Sequence, residues 1–321
     1  MSARYLVRRL IQVPPAVGAI LAVAFLLIHA APGDPVLALA GEHGDAAYYS
    51  EMRARFGLDR SVPEQFAVFA ANLVRFDLGT SYVHGRPAID VISERIPSTL
   101  LLTGSAFALS TGIGIALGLF AASRVRRAGD LAVSLASLSL QATPSFWLAQ
   151  LAILALGLAA GWFPIGGMTS ARSSATGLAA ALDVVHHLVL PAAVLAATEL
   201  AVVARLMRTG LLDELAQDYI RTARAKGLSE LQVLTRHALR RALIPVVTVV
   251  GSRVGHLLAG AVIVEAVFGW PGVGRLLLSS VQTRDTPIVL GIFLLIATTV
   301  ILANLATDLV YARLDPRIRH G

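Results

Sequence analysis

Six apolar runs punctuate the chain, at residues 10–31, 98–122, 131–160, 188–206, 242–264 and 286–307. A run of roughly 17–25 apolar residues crosses a hydrocarbon core of about 30 Å as an α-helix, so each predicts a membrane-spanning helix. The third is longer than one crossing needs and holds Pro144, which predicts a tilt, a kink or an extension beyond the bilayer. The first begins like a secretory leader, with Arg4, Arg8 and Arg9 ahead of the apolar stretch. Pro14-Pro15 and the exit Pro32-Gly-Asp-Pro35 replace a small-residue cleavage site, so it is expected to stay as a helix. Strand-like alternation is missing throughout. The pattern predicts an all-α polytopic membrane protein with six transmembrane helices.

The polar intervals fill in the organisation. Residues 32–97 follow the first helix as an outer segment, within which Phe66, Phe69, Leu73 and Phe76 recur at helical spacing over 62–78. That length suits a small folded cap and is too short for an independent catalytic domain. A second outer stretch, 161–187, is rich in Gly, Ser and Ala, and its Gly166-Gly167 and Ser173-Ser174 pairs predict a flexible connection. A third, 269–285, carries Gly269-Trp-Pro-Gly-Val-Gly274 ahead of Leu276-Leu277-Leu278. This predicts a short re-entrant or interfacial helix, tolerated at membrane depth only where protein buries it. The expected divisions are 1–31, an outer 32–97, a five-helix core at 98–310 holding the inner loop 205–241, and a tail at 311–321.

Charge orients the chain. With both termini cytoplasmic, the inner segments hold 17 of the 27 basic residues, the outer segments nine, and Arg253 lies within a span. The excess has the inside sign at every inner loop. Composition agrees: the 321 residues are 56% hydrophobic and 15% charged, with mean hydropathy +0.71. The isoelectric point near 10.5 does not indicate nucleic-acid binding, because the basic residues are spread over four loops rather than one face. Zero cysteines exclude disulfides, thiolate metal sites and thiol catalysis. The inner loop 205–241 carries eight Lys/Arg against four Asp/Glu, and its helix-prone centre at 218–229 is too long and regular for a turn. A helix displayed to the cytosol from a membrane protein is a docking element for a soluble partner.

Candidate chemistry is sparse. Lys226, the only lysine, is followed by Gly227-Leu228, so no Gly-Lys-Ser/Thr phosphate loop exists and this chain does not bind ATP by that route. Gly272-Val-Gly274 opens no dinucleotide fingerprint, since no strand precedes it and no third glycine follows. His186-His187 reads as interfacial polar residues rather than metal ligands. Neither His-Glu-x-x-His nor Gly-x-Ser-x-Gly occurs. Within the membrane, Glu199 falls in the fourth span, and Arg253 and His256, three apart on one helix face, in the fifth. Charges at that depth face a bundle interior or a water-filled cavity. Two readings stand: a Glu199–Arg253 ion pair joining two helices, or a lining of a translocation cavity that contacts substrate. Glu265, at the outer end of the fifth span, is expected to brace the outer loop. Gly114-x-x-x-Gly118 and the series Gly251, Gly255, Ala259 provide small faces for close helix approach.

The segment Asp218-Tyr-Ile-Arg-Thr-Ala-Arg-Ala-Lys-Gly-Leu-Ser229, followed by Arg236-His-Ala-Leu-Arg-Arg-Ala-Leu-Ile-Pro245, resembles the cytoplasmic signature of ABC importer permeases of the dipeptide/oligopeptide/nickel type. Pro32-Gly-Asp-Pro35, Asp77-Leu-Gly-Thr-Ser81, Glu265-Ala-Val-Phe-Gly-Trp-Pro-Gly-Val-Gly-Arg-Leu276 and Leu314-Asp-Pro-Arg-Ile-Arg319 are similar to the same subfamily, in order along nearly the whole chain. The likeness is to the first permease subunit, the one with the larger outer segment. It implies a type I ABC importer fold in a prokaryotic inner membrane, a second homologous permease (or a copy of this chain), two ATPase subunits or one fused ATPase, and an extracytoplasmic solute-binding protein. ATP and Mg would be bound by those ATPase partners, and no cofactor by this chain. The resemblance also implies that Thr222, Ala223, Arg224, Ala225, Lys226, Gly227 and Leu228 form the coupling helix that seats in an ATPase groove. Ala223 and Gly227, four apart, are expected to make the shallow face that enters it, with Arg221, Arg224 and Lys226 at an acidic rim. Glu199, Arg253 and His256 depart from the small or apolar residues expected in this branch. Peptides are the implied cargo, nickel or another small solute the alternative. A secondary transporter driven by protons or sodium, with those three residues as relay, would need broken mid-membrane helices or two recognisable halves; no internal repeat is present.

Overall fold

A computed structural model of the chain describes residues 3–30, 36, 45–75, 77–170 and 176–314. The Pro32-Gly-Asp-Pro35 motif, Phe76, the Ser173-Ser174 pair and the tail beyond Leu314 lie outside them. Among the described residues the helices are α1 (Ala3–Ala30), α2 (Ala46–Phe56), α3 (Val62–Val74), α4 (Ala88–Ser93), α5 (Ile96–Ser123), α6 (Ala128–Ala142) and α7 (Ser145–Ala152), which continues as a π-helical turn over Ile153–Ala159. Next come α8 (Leu178–Leu215), α9 (Asp218–Ala225) and α10 (Glu230–Gln232). A π-helical turn (Val233–Ala238) leads into α11 (Leu239–Ser252), followed by α12 (Val254–Val267), α13 (Val273–Gln282) and α14 (Thr286–Leu314). The nearest approach to a strand there is one antiparallel bridge between Thr80 and Pro87.

Four stretches are long and apolar enough to cross a bilayer by length and composition: Val13–Ala30, Ala88–Ser123, Leu178–Leu215 and Thr286–Thr307. Six crossings are reached when each of two bent pairs counts as one. In the first pair, Ala128–Ala142 and Ser145–Ala159 meet at 107°. Thr143 is extended (φ −89°, ψ 123°), as the residue before a proline prefers, and Pro144 brings no amide to continue the ladder. The tilt or kink expected for 131–160 is therefore a corner between two helices. In the second pair, Glu230–Ser252 and Val254–Val267 bend by 50° at Arg253, whose φ −89° and ψ 2° lie outside the helical basin. The unbroken helix expected over 242–264 stops at its own charged residue. Conversely, the span expected at 188–206 is the middle of a 38-residue helix that passes through Pro191. Hydropathy marks only its apolar centre, while the backbone ladder runs on into polar flanks.

The chain forms two compact units, residues 100–270 with 302–321, and residues 2–99 with 271–301. In the first, α8 is the axis against which α6, α7, α11 and α12 pack. One buried cluster surrounds Leu190, Leu195, Leu257, Val264 and Trp270, and another surrounds Met207, Leu211, Ile220, Val233 and Val246. The Gly114/Gly118 face of α5 lies directly on α8. A Cβ at Gly114 would meet Val203 Cβ at 2.7 Å, and one at Gly118 would meet Met207 Cβ at 2.5 Å. Substituting either glycine forces the two helices apart.

In the second unit, Phe25 of α1 packs on Phe66 and Phe69 of α3 with ring centroids 5.2 and 6.5 Å apart, so the expected aromatic spacing does build a helix face. Glu64 fixes the start of α3 by accepting from the Ser61 amide (2.9 Å) and hydroxyl (2.8 Å), a capping-box arrangement that holds the Glu64 carboxyl below its usual range. The turn at 81–85 is pinned to the start of α14. The fully buried Asp285 carboxylate accepts from the Ser81 hydroxyl and from the Tyr82 (3.1 Å) and Val83 (3.3 Å) amides. Three donors satisfy a carboxylate whose burial would otherwise be costly. The helix expected around Leu276 is α13, with its Val273 amide bonded to Thr99 Oγ1 at 2.8 Å.

Candidate functional site

The inner-loop helix is short and two-faced. Asp218–Ala225 begins after Gln217 and buries Ile220 and Ala223, which join Met207, Leu211 and Val233 in one apolar cluster. Arg221, Thr222, Arg224, Ala225, Lys226 and Gly227 are exposed. The structure thus corrects the expected contact face. Ala223 points into its own bundle and is unavailable to a partner groove, because its spacing from Ile220 puts both on the inward stripe.

Gly227 closes the helix instead of shaping its face. Its amide donates to the Arg224 carbonyl (2.9 Å) and the Leu228 amide to the Ala223 carbonyl (3.4 Å), with Gly227 at φ +79°. This is the left-handed C-terminal turn that glycine adopts without strain. It returns half-buried Leu228 to the cluster that holds Ile220. The helix is therefore anchored at both ends and along one side.

Charges on the outward face are partly satisfied within the chain. Arg224 Nε bonds Glu230 at 2.7 Å, which raises the guanidinium pKa, and Arg221 reaches Asp218 at 3.1 Å. Lys226 has no ion-pair partner among the described residues. Below the helix, the Tyr219 hydroxyl donates to Glu214 at 2.5 Å and the Arg241 guanidinium stacks 4.4 Å from its ring centroid. Burial and the neighbouring carboxylate push the Tyr219 phenol up to about 12, so it remains a neutral donor.

Of the three intramembrane residues, two come together. Arg253 grips Glu199 with two parallel hydrogen bonds, Nη2 to Oε1 at 2.9 Å and Nε to Oε2. His256 is exposed and linked to Arg253 only through a backbone bond, its amide to the Arg253 carbonyl (3.0 Å). The bend at Arg253 removes the common face expected for the two. Glu265 is fully buried, and its carbonyl accepts from the Trp270 amide (2.9 Å) where the chain leaves α12. His186 and His187 diverge, one bonding the Trp162 carbonyl (2.9 Å) and the other the Asp183 carbonyl (2.8 Å).

A second bidentate pair was not anticipated. Arg208 of α8 holds Asp130 in the first turn of α6, Nε to Oδ1 at 2.5 Å and Nη2 to Oδ2 at 2.8 Å. Asp130 also accepts the Arg126 amide at 2.9 Å, fixing a turn in which Arg126 has φ +62°. The pair ties α6 to α8 just inside the start of the 205–241 segment. Its only sequence signal was an acidic residue three positions after Arg127, where a helix N-terminus favours a carboxylate.

The described bundle of apolar helices thus displays one anchored helix with an exposed cationic face. A family model described as the binding-protein-dependent transport system inner membrane component matches residues 114–320, and one for the N-terminal part of such components matches residues 2–103. The chain belongs to this family. It is 37% identical over 319 residues to the oligopeptide transport system permease protein AppB of Bacillus subtilis, covering 99% of this chain and 100% of the relative. It is 38% identical over 316 residues to the glutathione transport system permease protein GsiC of Escherichia coli K12 (98% and 99% covered). Over 336 residues it is 38% identical to the dipeptide transport system permease protein DppB of the same organism (99% of each). Among solved structures, the inward-facing MetNI methionine ABC transporter superposes with a TM-score of 0.55 at 18% identity, covering 71% of this chain and 97% of that one, a likeness of fold.

Proposed function

We propose that this permease subunit forms half of the translocation path of an ATP-driven importer for short peptides. The path is completed by a second permease, and solute arrives from an extracytoplasmic binding protein in a prokaryotic inner membrane. Both termini and the 205–241 loop face the cytosol, where the basic excess belongs. Two ATPase subunits, or one fused ATPase, bind ATP and Mg and grip the 218–228 segment, so hydrolysis occurs outside this chain. Supporting this are the relatives named for oligopeptide, glutathione and dipeptide transport.

The observation that carries the reading is the mounting of α9. A loop meant only to connect has no need to bury Ile220, Ala223 and Leu228 in the base of the bundle. Burial of those side chains makes the helix a rigid handle, so closure of the ATPase pair moves α8 and α11 with it. Nucleotide biases a two-state equilibrium between inward- and outward-open arrangements, through differential binding to the two states. The Glu199–Arg253 pair lies on α8 and at the break before α12, where the moving helices meet, and is assigned to the path. The test is co-purification with the ATPase subunits. The intact chain should retain them through high-affinity contact at Arg221, Thr222 and Lys226, and Thr222→Arg should release them. Undiminished retention in that variant would refute the docking role.

A further inference from the structure

We propose that a cavity in the second unit binds the phosphate head of an anionic phospholipid. The cavity, about 220 Å³, is lined by the apolar Phe25, Phe69 and Leu290 and by the charged Arg55, Arg60 and Asp77. Neither arginine has an ion-pair partner among the described residues; Arg55 lies only over the neighbouring Phe56 ring, 5.9 Å from its centroid. Asp77 also lines the cavity and Glu64 attracts Arg60, and each carboxylate nearby accepts from neutral donors. Asp285 holds Ser81 and two amides, Glu64 holds Ser61, and Asp77 accepts the Gly79 amide at 2.8 Å. Among the described residues the lining carries two guanidinium groups, Arg55 and Arg60, against one carboxylate, Asp77; that excess favours an anion, and the forked donors suit phosphate oxygens. Tyr82, also on the wall, is pushed up to about 12 by burial and the adjacent Asp285, so it offers a neutral hydroxyl rather than a competing charge.

The apolar wall and its depth separate a lipid from a free phosphate. Phe25 and Leu290 belong to the apolar stretches Val13–Ala30 and Thr286–Thr307, each near the end that meets the polar cap, and both are almost fully buried. The cavity therefore sits where spans emerge into the headgroup layer. Just beside it, α1 presents Val23, Leu26 and Leu27 outward at 57, 60 and 66% exposure, and only 17% of its apolar window is buried. Acyl chains of a lipid whose head entered the cavity would lie along that surface. The site is also built in advance: Gly57, at φ +66°, turns the chain after α2 so that Arg60 faces back to the cavity, and Asp285 fixes the opposite lip.

The experiment uses the full transporter complex in phosphatidylcholine nanodiscs doped with a photoactivatable phosphatidylglycerol or an equally photoactivatable phosphatidylcholine. Labelled peptides are mapped by mass spectrometry. The anionic probe should label peptides containing residues 53–60 and 77–82, with Arg55→Ala/Arg60→Ala lowering labelling by about tenfold or more. Arg55→Lys/Arg60→Lys should retain most of it, which separates lost charge from lost folding. Equal labelling by the two probes would overturn the proposal. So would displacement of the anionic probe by millimolar glycerol phosphate, which would assign the cavity to a soluble phosphate. Because both leaflets of the disc have one composition, the outcome does not depend on the membrane orientation proposed above.

Discussion

Two bidentate carboxylate–guanidinium pairs tie α8 to its neighbours, and they are alike in exposure but not in support. Arg208 and Asp130 are 26% and 6% exposed, Arg253 and Glu199 26% and 10%. Asp130, however, also carries the Arg126 amide and with it a left-handed turn, so the pair is one part of a three-point joint. Glu199 and Arg253 meet where α11 breaks from α12, and no further side-chain partner of either carboxylate or guanidinium is seen among the described residues. One pair locks a corner whereas the other spans a helix break. Energy favours the same division: a buried pair adds little over an apolar replacement, yet removing one partner costs about 3–5 kcal/mol. Under the function proposed above, the second pair belongs to the translocation path.

Asp130→Ala should have the largest effect, with a loss of about 3–5 kcal/mol in stability measured by thermal unfolding of the purified protein. Asp130→Ala/Arg208→Ala should recover little of it, since the Arg126 turn stays unsupported; full recovery would erase the distinction between the two pairs. Arg253→Ala should cost about 3 kcal/mol by stranding Glu199 and should impair uptake while membrane insertion remains intact. Here Glu199→Gln/Arg253→Gln should restore stability to within about 1 kcal/mol without restoring uptake, and unchanged transport kinetics would remove the pair from the path. Gly227→Val, which forces a β-branched residue to φ +79°, should cost about 1–2 kcal/mol locally and uncouple ATPase turnover from uptake, with solute capture by the binding protein unaltered. Space is not the issue there, because a Cβ at Gly227 meets nothing within 4 Å. Smallest of all, Lys226→Ala should weaken association with the ATPase subunits by at most about fivefold, an effect that disappears in high salt.

The helical class and the location of most spans were legible because hydropathy reads the bilayer directly. What hydropathy cannot read is where a backbone ladder stops. Pro144 announced a disturbance without its 107° size, and nothing about Arg253 announced a helix end. The inner-loop helix was legible in its charge and position, but which of its faces is buried was not. Ala223 and Gly227 as a pair of small residues looked like a contact face, whereas Ile220 three positions before Ala223 already marked the buried side. Long-range partners stayed hidden for a simpler reason. Ser81 and Asp285 are 204 residues apart, and Asp130 and Arg208 are 78 apart, so only the folded bundle brings them together.

The most direct measurement is solute uptake by proteoliposomes containing this chain alone, then with the second permease, the ATPase subunits and the binding protein added. Uptake should be absent without the companions and should require ATP when they are present. Peptide accumulation by the chain alone, driven by a proton or sodium gradient, would contradict a gate that is moved from its inner face.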